Sequence, residues 1–289
     1  MEAQAMVWEW PIWLYLFAAG VAGGGFFITF LVNLFTDGEQ NDFLRIATWI
    51  GLPLVLLGVL LLVMDLGNQT NAWHLFVRFL PVSPMSLGSW ILLVWSVIAV
   101  VLIALWFAEA FEQEEQPKGL FARVASWLRP FLPIVSVLLW IEAVLSVLLI
   151  TYTGVLLSTT SRELWSTVLL PVLFVLSAIS TGLAATLLVA VLLGREIPHR
   201  LGQAAAVLEV YEVVALIAFL IAVPAGILIS GPLSLWFWLG VIVVGILVPF
   251  ALELATWRTS PRVLVMTMAF SVLIGGLILR AVVVVGGQV

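Results

Sequence analysis

The stretch WPIWLYLFAAGVAGGGFFITFLVNL, residues 10–34, holds no charged side chain over 25 residues. A helix needs about 20 apolar residues to cross the ~30 Å hydrocarbon layer of a bilayer, so this run is long enough to span it. Seven more such runs follow, near residues 46–66, 88–108, 131–157, 167–193, 204–229, 233–255 and 262–285. Between them lie polar or Pro/Gly-rich breaks, the shortest being Ser230-Gly231-Pro232, which suits a tight turn. The fold expected is an all-α integral membrane protein of eight transmembrane helices. It forms a single membrane domain over 1–289, and the longer central loop at 109–130 suits two four-helix bundles.

Composition agrees. Apolar residues make up 64% of the 289, and charged ones 9%, where a soluble domain carries about a quarter. Sixteen acids against eleven bases leave a net charge of −5 and no basic stripe, which excludes a nucleic-acid partner. The absence of cysteine excludes thiolate zinc sites, iron–sulfur clusters and disulfides within the chain. Met1-Glu2-Ala3-Gln4 offers no basic segment, so the first run is expected to stay as a transmembrane helix and not to be cleaved as a signal.

Cationic side chains are retained on the cytoplasmic face. The connections after the first, third, fifth and seventh runs hold Arg45; Lys118, Arg123 and Arg129; Arg195 and Arg200; Arg258 and Arg262. The other face has only Arg78 and Arg162, and Arg280 lies within the eighth run. This eight-to-two bias places both termini on the extracytoplasmic side of a multi-pass protein of the cytoplasmic membrane. The acidic run Glu109, Glu112, Glu114 and Glu115 is expected to be a solvated cytoplasmic face.

Ionisable groups inside a bilayer are costly, so each is a functional candidate. Topology puts Tyr15, Asp65, Tyr152 and Arg280 in one outer layer, with Arg280 free to pair with Asp65, to snorkel or to act electrostatically. Tyr152 is flanked by Thr151, Thr153 and Gly154, which suits a pocket needing a hydroxyl donor and close backbone approach. Glu142 lies ten residues deeper than Tyr152, about 15 Å along a helix. Glu209 and Glu212 share one face in the inner half, and Glu253 ends the seventh run, within reach of Arg258. Asp65, Glu142, Glu209 and Glu212 thus form a ladder of candidate proton carriers. The Gly20–Gly25 face supports two alternatives, close helix packing or a surface for a flat ring.

A b-type haem needs axial ligands inside the bundle, usually histidines. His74 and His199 fall in connections on opposite faces, so neither haem nor any other metal is expected. The outer layer suits an amphipathic ligand with ring oxygens. Quinol oxidation fits: tyrosine hydroxyls bond the oxygens, Asp65 accepts a proton, and an external redox partner takes the electrons. Two alternatives use the same residues without quinone chemistry: a proton-conducting module, and a secondary transporter hinted at by Pro224 and Pro249.

Further motifs occur in a fixed order. Trp10-Pro11-Ile12-Trp13-Leu14-Tyr15 opens the first helix, Met64-Asp65-Leu66-Gly67 closes the second, and Ser83-Pro84-Met85-Ser86-Leu87-Gly88-Ser89-Trp90 opens the third. Tyr152-Thr153-Gly154-Val155-Leu156-Leu157-Ser158 ends the fourth, Leu170-Pro171-Val172-Leu173-Phe174 enters the fifth, and the segment from Arg280 to Gln288 closes the chain. In this order, over residues 8–288, they resemble the NrfD family, the membrane subunits of polysulfide-reductase-type complexes. The resemblance implies an eight-helix subunit that binds menaquinone or ubiquinone and oxidises the quinol. It implies an extracytoplasmic iron–sulfur partner, which feeds a molybdopterin catalytic subunit. The implied quinone-site positions are Tyr15, Asp65 and Tyr152, with Gly20, Thr153 and Gly154 as neighbours. Some relatives carry His at the Tyr15 position; tyrosine is a poor base at neutral pH, which makes Asp65 the first proton acceptor. The intramembrane acids Glu142, Glu209 and Glu212 would serve any proton route.

Overall fold

The computed structural model describes residues 8–65, 77, 83–112, 120–256 and 261–289. Among these, eight helices are long and apolar enough to cross a membrane. Span 1 is Trp10–Phe35, span 2 Asn41–Asp65, span 3 Pro84–Glu112 and span 4 Val135–Ser158. Span 5 is Leu169–Leu192, span 6 His199–Ala222, span 7 the π-helical Trp236–Leu247 continued by Val248–Thr256, and span 8 Arg262–Gly286. All eight expected spans are present. Large side chains such as Leu56, Leu60, Val144, Trp140, Ile221 and Trp236 face outward all round, as a lipid-immersed surface requires.

Local chemistry moves several boundaries. The third span starts at Pro84, four residues before the expected 88, because proline fits the first helical turn, where its missing N–H has no partner to lose. The sixth stops at Ala222 and not at 229: Val223 precedes Pro224 and is extended at φ −123°, ψ 159°, after which only the short helix Gly226–Ile229 forms. The central 109–130 segment is not all loop. Span 3 runs on to Glu112, and Leu120–Leu128 is helical, leading through a 3-10 turn at Arg129–Ile134 into span 4. Nor is Glu109 merely solvated, since it forms an ion pair at 2.6 Å with Arg45, whose guanidinium lies 5.5 Å from the Trp106 ring centroid. Glu114, Glu115, Lys118, His74, Arg78 and Arg258 fall outside the described residues.

Spans 1 and 5 form the spine and are the most enclosed. Gly24 and Gly25 pack against the backbone of Ala178 and Gly182, so close that a Cβ at Gly24 or Gly182 would strike main-chain atoms of the facing helix. Of the two readings of the small-residue face, the structure selects helix packing. Span 7 is unusual in being π-helical for twelve residues before Pro249. A proline ring collides with the carbonyl four residues earlier in an α-helix, and a wider helix relieves that conflict. Here the residue four back is Gly245, which touches Gly275 of span 8.

The two ends of the chain meet. Trp8 N–H donates to Gln288 Oε1 at 2.8 Å, and Gln288 Nε2 donates to Trp8 O at 2.9 Å. Trp8 stacks on Trp165 with centroids 5.2 Å apart, and Trp165 Nε1 donates to Val283 O at 2.7 Å. Trp8 and Gln288, at the two ends of the described chain, therefore lie at one end of the bundle, called the terminal end below.

Candidate functional site

Tyr15 of span 1 and Tyr152 of span 4 are buried near the terminal end, and each hydroxyl faces the other. Among the described residues, neither hydroxyl has a partner besides the facing phenol. Two facing hydroxyls can make only one hydrogen bond between them, so at least one buried O–H donor is left over, at a cost of about 1–3 kcal/mol. Two glycines make the arrangement possible. Gly58 of span 2 lies against the Tyr15 ring, with a Cβ position 3.2 Å from Cδ2, and Gly88 of span 3 lies directly against the Tyr152 phenol. The surroundings of the pair are therefore drawn from the first four spans. Gly58 was not singled out in the sequence, and Gly88 only as part of a motif; the one visible signal was a glycine inside an apolar helix, which ordinarily weakens it.

The other expected quinone-site residues are placed differently. Thr153 is fully buried but bonds its own helix at Ile150 O, 2.7 Å away. Gly154 is filled by Pro171 of span 5, and Gly20 by the Arg280 guanidinium, 2.8 Å from a Cβ position. Both are packing glycines, which leaves no open surface for a ring at either. Asp65 is at the last residue of span 2, seven residues beyond Gly58, or about 10 Å further out. Among the described residues, the charged group that acts on it is Glu9, just before span 1.

Arg280 corrects the expectation of a single outer layer. It is wholly buried and neither snorkels nor pairs with Asp65. Its NH1 donates to Ser177 Oγ at 3.2 Å and to Gly276 O at 3.0 Å, and its Cζ lies 5.6 and 5.5 Å from the Phe17 and Phe174 ring centroids. Gly20, which it touches, is five residues inside Tyr15, so the guanidinium lies about 7 Å deeper than the tyrosines. The predicted layer thus resolves into three depths: Asp65 at the rim, the tyrosine pair within, and Arg280 below.

Beneath Arg280 the acids also divide. Glu212 of span 6 faces the hydroxyls of Ser177 and Ser180 on span 5, and it is the acid that acts on Arg280. One turn further from the terminal end, Glu209 faces Glu253 of span 7, carboxyl to carboxyl. A cavity of about 30 Å³ bordered by Ser180, Glu209 and Glu253 has room for a water. A smaller one of about 10 Å³ touches Glu212 and Gly276. Ser177 and Ser180 were missed in the sequence because serines in helices usually bond their own backbone. Glu142 does not join this column. It is fully buried with both oxygens unpartnered, and no other charged group among the described residues acts on it. One turn along span 4, Ser146 Oγ accepts from Trp95 Nε1 at 2.9 Å, placing this acid among the first four spans. Among the described residues, no cluster of three or more His, Cys, Asp or Glu side chains is arranged to hold a metal.

Comparison with known proteins agrees with this architecture. The family described as polysulphide reductase, NrfD, matches residues 1–289. Protein NrfD of Escherichia coli K12 is 32% identical over 312 residues, covering 99% of this chain and 96% of that protein. A polysulfide reductase chain of Wolinella succinogenes is 30% identical over 314 residues, with 99% and 96% covered. A selenate reductase subunit of Mesobacillus selenatarsenatis is 26% identical over 126 residues, 42% of this chain and 29% of that one.

Proposed function

The chain belongs to the NrfD family of multi-pass membrane proteins, and on that premise we propose that it oxidises menaquinol or ubiquinol at the Tyr15–Tyr152 pair, as the membrane subunit of a respiratory oxidoreductase complex. The observation that carries this is two buried phenol hydroxyls that face each other and have no partner besides each other among the described residues. A quinol presents two ring oxygens, and hydroxyl donors suit them. Oxidation of one quinol releases two electrons and two protons. With no cysteine and no described metal cluster, the chain passes the electrons to an iron–sulfur partner docked at the terminal end, which serves a molybdopterin catalytic subunit. The cationic bias of the opposite connections makes the terminal end extracytoplasmic. Tyr152 and Tyr15 orient the ring, and Asp65, beside Glu9 at the rim, relays the two released protons outward one after the other.

A second element of the proposal concerns protons from the other side. Glu253 and Glu209, Ser180, Glu212, Ser177 and Arg280 form a column from the inner half toward the tyrosine level. Two facing carboxyls hold one proton more readily than two charges, and a relay needs such intermediate holders. Glu142 is a separate acid beneath the tyrosines in the first four spans.

The test uses the complex purified with its partner subunits. Tyr152→Phe is expected to lower quinol kcat/KM by about 100-fold and Asp65→Asn to abolish quinol-driven turnover, measured per assembled complex. A wild-type quinol rate in Tyr152→Phe sinks the assignment of the tyrosine pair, and one in Asp65→Asn sinks the role of Asp65. For the column, Glu212→Gln is expected to abolish proton uptake from the inner side of vesicles; uptake and release confined to the outer side would remove it.

A further inference from the structure

The motif Ser83-Pro84-Met85-Ser86-Leu87-Gly88-Ser89-Trp90 has so far served only to mark where span 3 begins. Its construction is specific. Pro84 is the first residue of the helix, where its fixed φ favours a sharp start. Ser86 and Ser89 are buried, and Ser89 Oγ donates to Ser86 O at 2.9 Å, so both small polar residues face the bundle without lengthening the contact. Gly88, between them in the sequence, is the point of closest approach. A Cβ there would overlap Cζ, Cε1 and the hydroxyl oxygen of Tyr152 at once. The phenol therefore rests on bare backbone.

The two tyrosines differ in this respect. At Gly58 an added Cβ would sit 3.2 Å from Tyr15 Cδ2, a tight contact with the side of the ring that a small shift relieves. At Gly88 the collision is with the hydroxyl-bearing end, and no small shift relieves it. The Tyr152 hydroxyl directly faces that of Tyr15, so whatever displaces one changes the gap between both.

We propose that Gly88 is the positioning residue of the quinol site: its missing side chain lets the first turn of span 3 set the depth and direction of the Tyr152 hydroxyl. This rests on the reading of the tyrosine pair as the quinol site. A misplacement near 1 Å at a reacting centre costs up to about 100-fold in rate, and this is the order of effect a methyl group at Gly88 should produce.

The experiment measures kcat and KM with a soluble naphthoquinol or benzoquinol, per assembled complex, for Gly88→Ala. Gly287→Ala is the control. A Cβ at Gly287 would likewise run into an aromatic ring, that of Trp165, at the same end of the bundle but away from the tyrosines. The expected result for Gly88→Ala is a tenfold or greater fall in kcat/KM for quinol with weakened quinone-analogue binding, while Gly287→Ala lowers thermal stability and keeps the wild-type kcat/KM. An unchanged kcat/KM in Gly88→Ala, or a fall no larger than in Gly287→Ala, overturns the assignment. If Gly88→Ala does not accumulate, Gly88→Ala combined with Tyr152→Ala should restore accumulation by removing the ring it strikes; failure to restore it also overturns the assignment. Full quinol turnover in Tyr152→Phe would sink the quinol reading itself, whereas loss there beside a normal Gly88→Ala sinks only the role of Gly88.

Discussion

Spans 1–4 bury two neutral phenols and one isolated acid, Glu142, whereas spans 5–8 gather Glu209, Glu212, Glu253 and Arg280 along a single column. In the first half, glycines at positions 58 and 88 admit aromatic rings. In the second, serines at 177 and 180 stand between ionisable groups, and the cavity beside Ser180 has room for a water. A pocket that must orient a flat ring needs rigid, uncharged walls and donors fixed in direction. A path for protons needs groups that can each hold and yield one, close enough to be bridged by hydroxyls or water. The same apolar scaffold supplies both, and the Gly24–Gly182 seam holds them together.

That seam is where the comparison breaks most completely. Gly182→Leu is expected to eliminate the folded chain from membranes, since the new side chain would meet the main chain of Gly24 and Gly25; membrane abundance by immunoblot is the measurement. Tyr152→Phe comes next: loss of one oriented hydroxyl should lower quinol kcat/KM by about 100-fold, the low end of general acid–base contributions, with the assembled complex intact. Glu212→Gln should lower coupled turnover by about tenfold, the effect of losing one charge-assisted hydrogen bond, and remove inner-side proton uptake. Glu142→Gln sharpens the contrast, because an acid with no charged neighbour among the described residues should leave that uptake in place. If the two acids exchange behaviours in a vesicle pH assay, the division between halves is wrong. The smallest effect belongs to the chain ends. Gln288→Ala removes two hydrogen bonds to Trp8 and should lower the thermal midpoint by about 2–4 °C for a loss near 1 kcal/mol.

The eight crossings were legible because a bilayer leaves a helix no alternative, and length alone identifies it. Proline chemistry accounts for the ends that were misplaced: the sequence window ran through Pro224 on hydrophobicity, while Val223 had to be extended in front of it. Depth along a helix was legible in part: Tyr15 and Tyr152 were expected at one level and their hydroxyls lie face to face, whereas Asp65 and Arg280, expected in the same layer, lie further out and deeper. Rotation about the helix axis was not. Arg280 was expected beside Asp65 because both stand near the same end, yet it turns toward Ser177 and Glu212. Glu142 fitted a ladder by depth and stands alone by azimuth. The glycines mislead for the same reason: a missing side chain has no direction in a sequence, so Gly20 read as a floor for a ring while Arg280 fills it.

The clasp between Trp8 and Gln288 makes the backbone, in topological terms, almost a closed ring. An even number of crossings with neighbouring ends can be reopened at any connection on the same face without reversing a single helix. A circular permutant joined across the clasp and cut in the 159–168 connection would begin with span 5 and finish with span 4. In that order the acid column would be synthesised before the tyrosine pocket, which turns the order of insertion of the two halves into something an experimenter can choose.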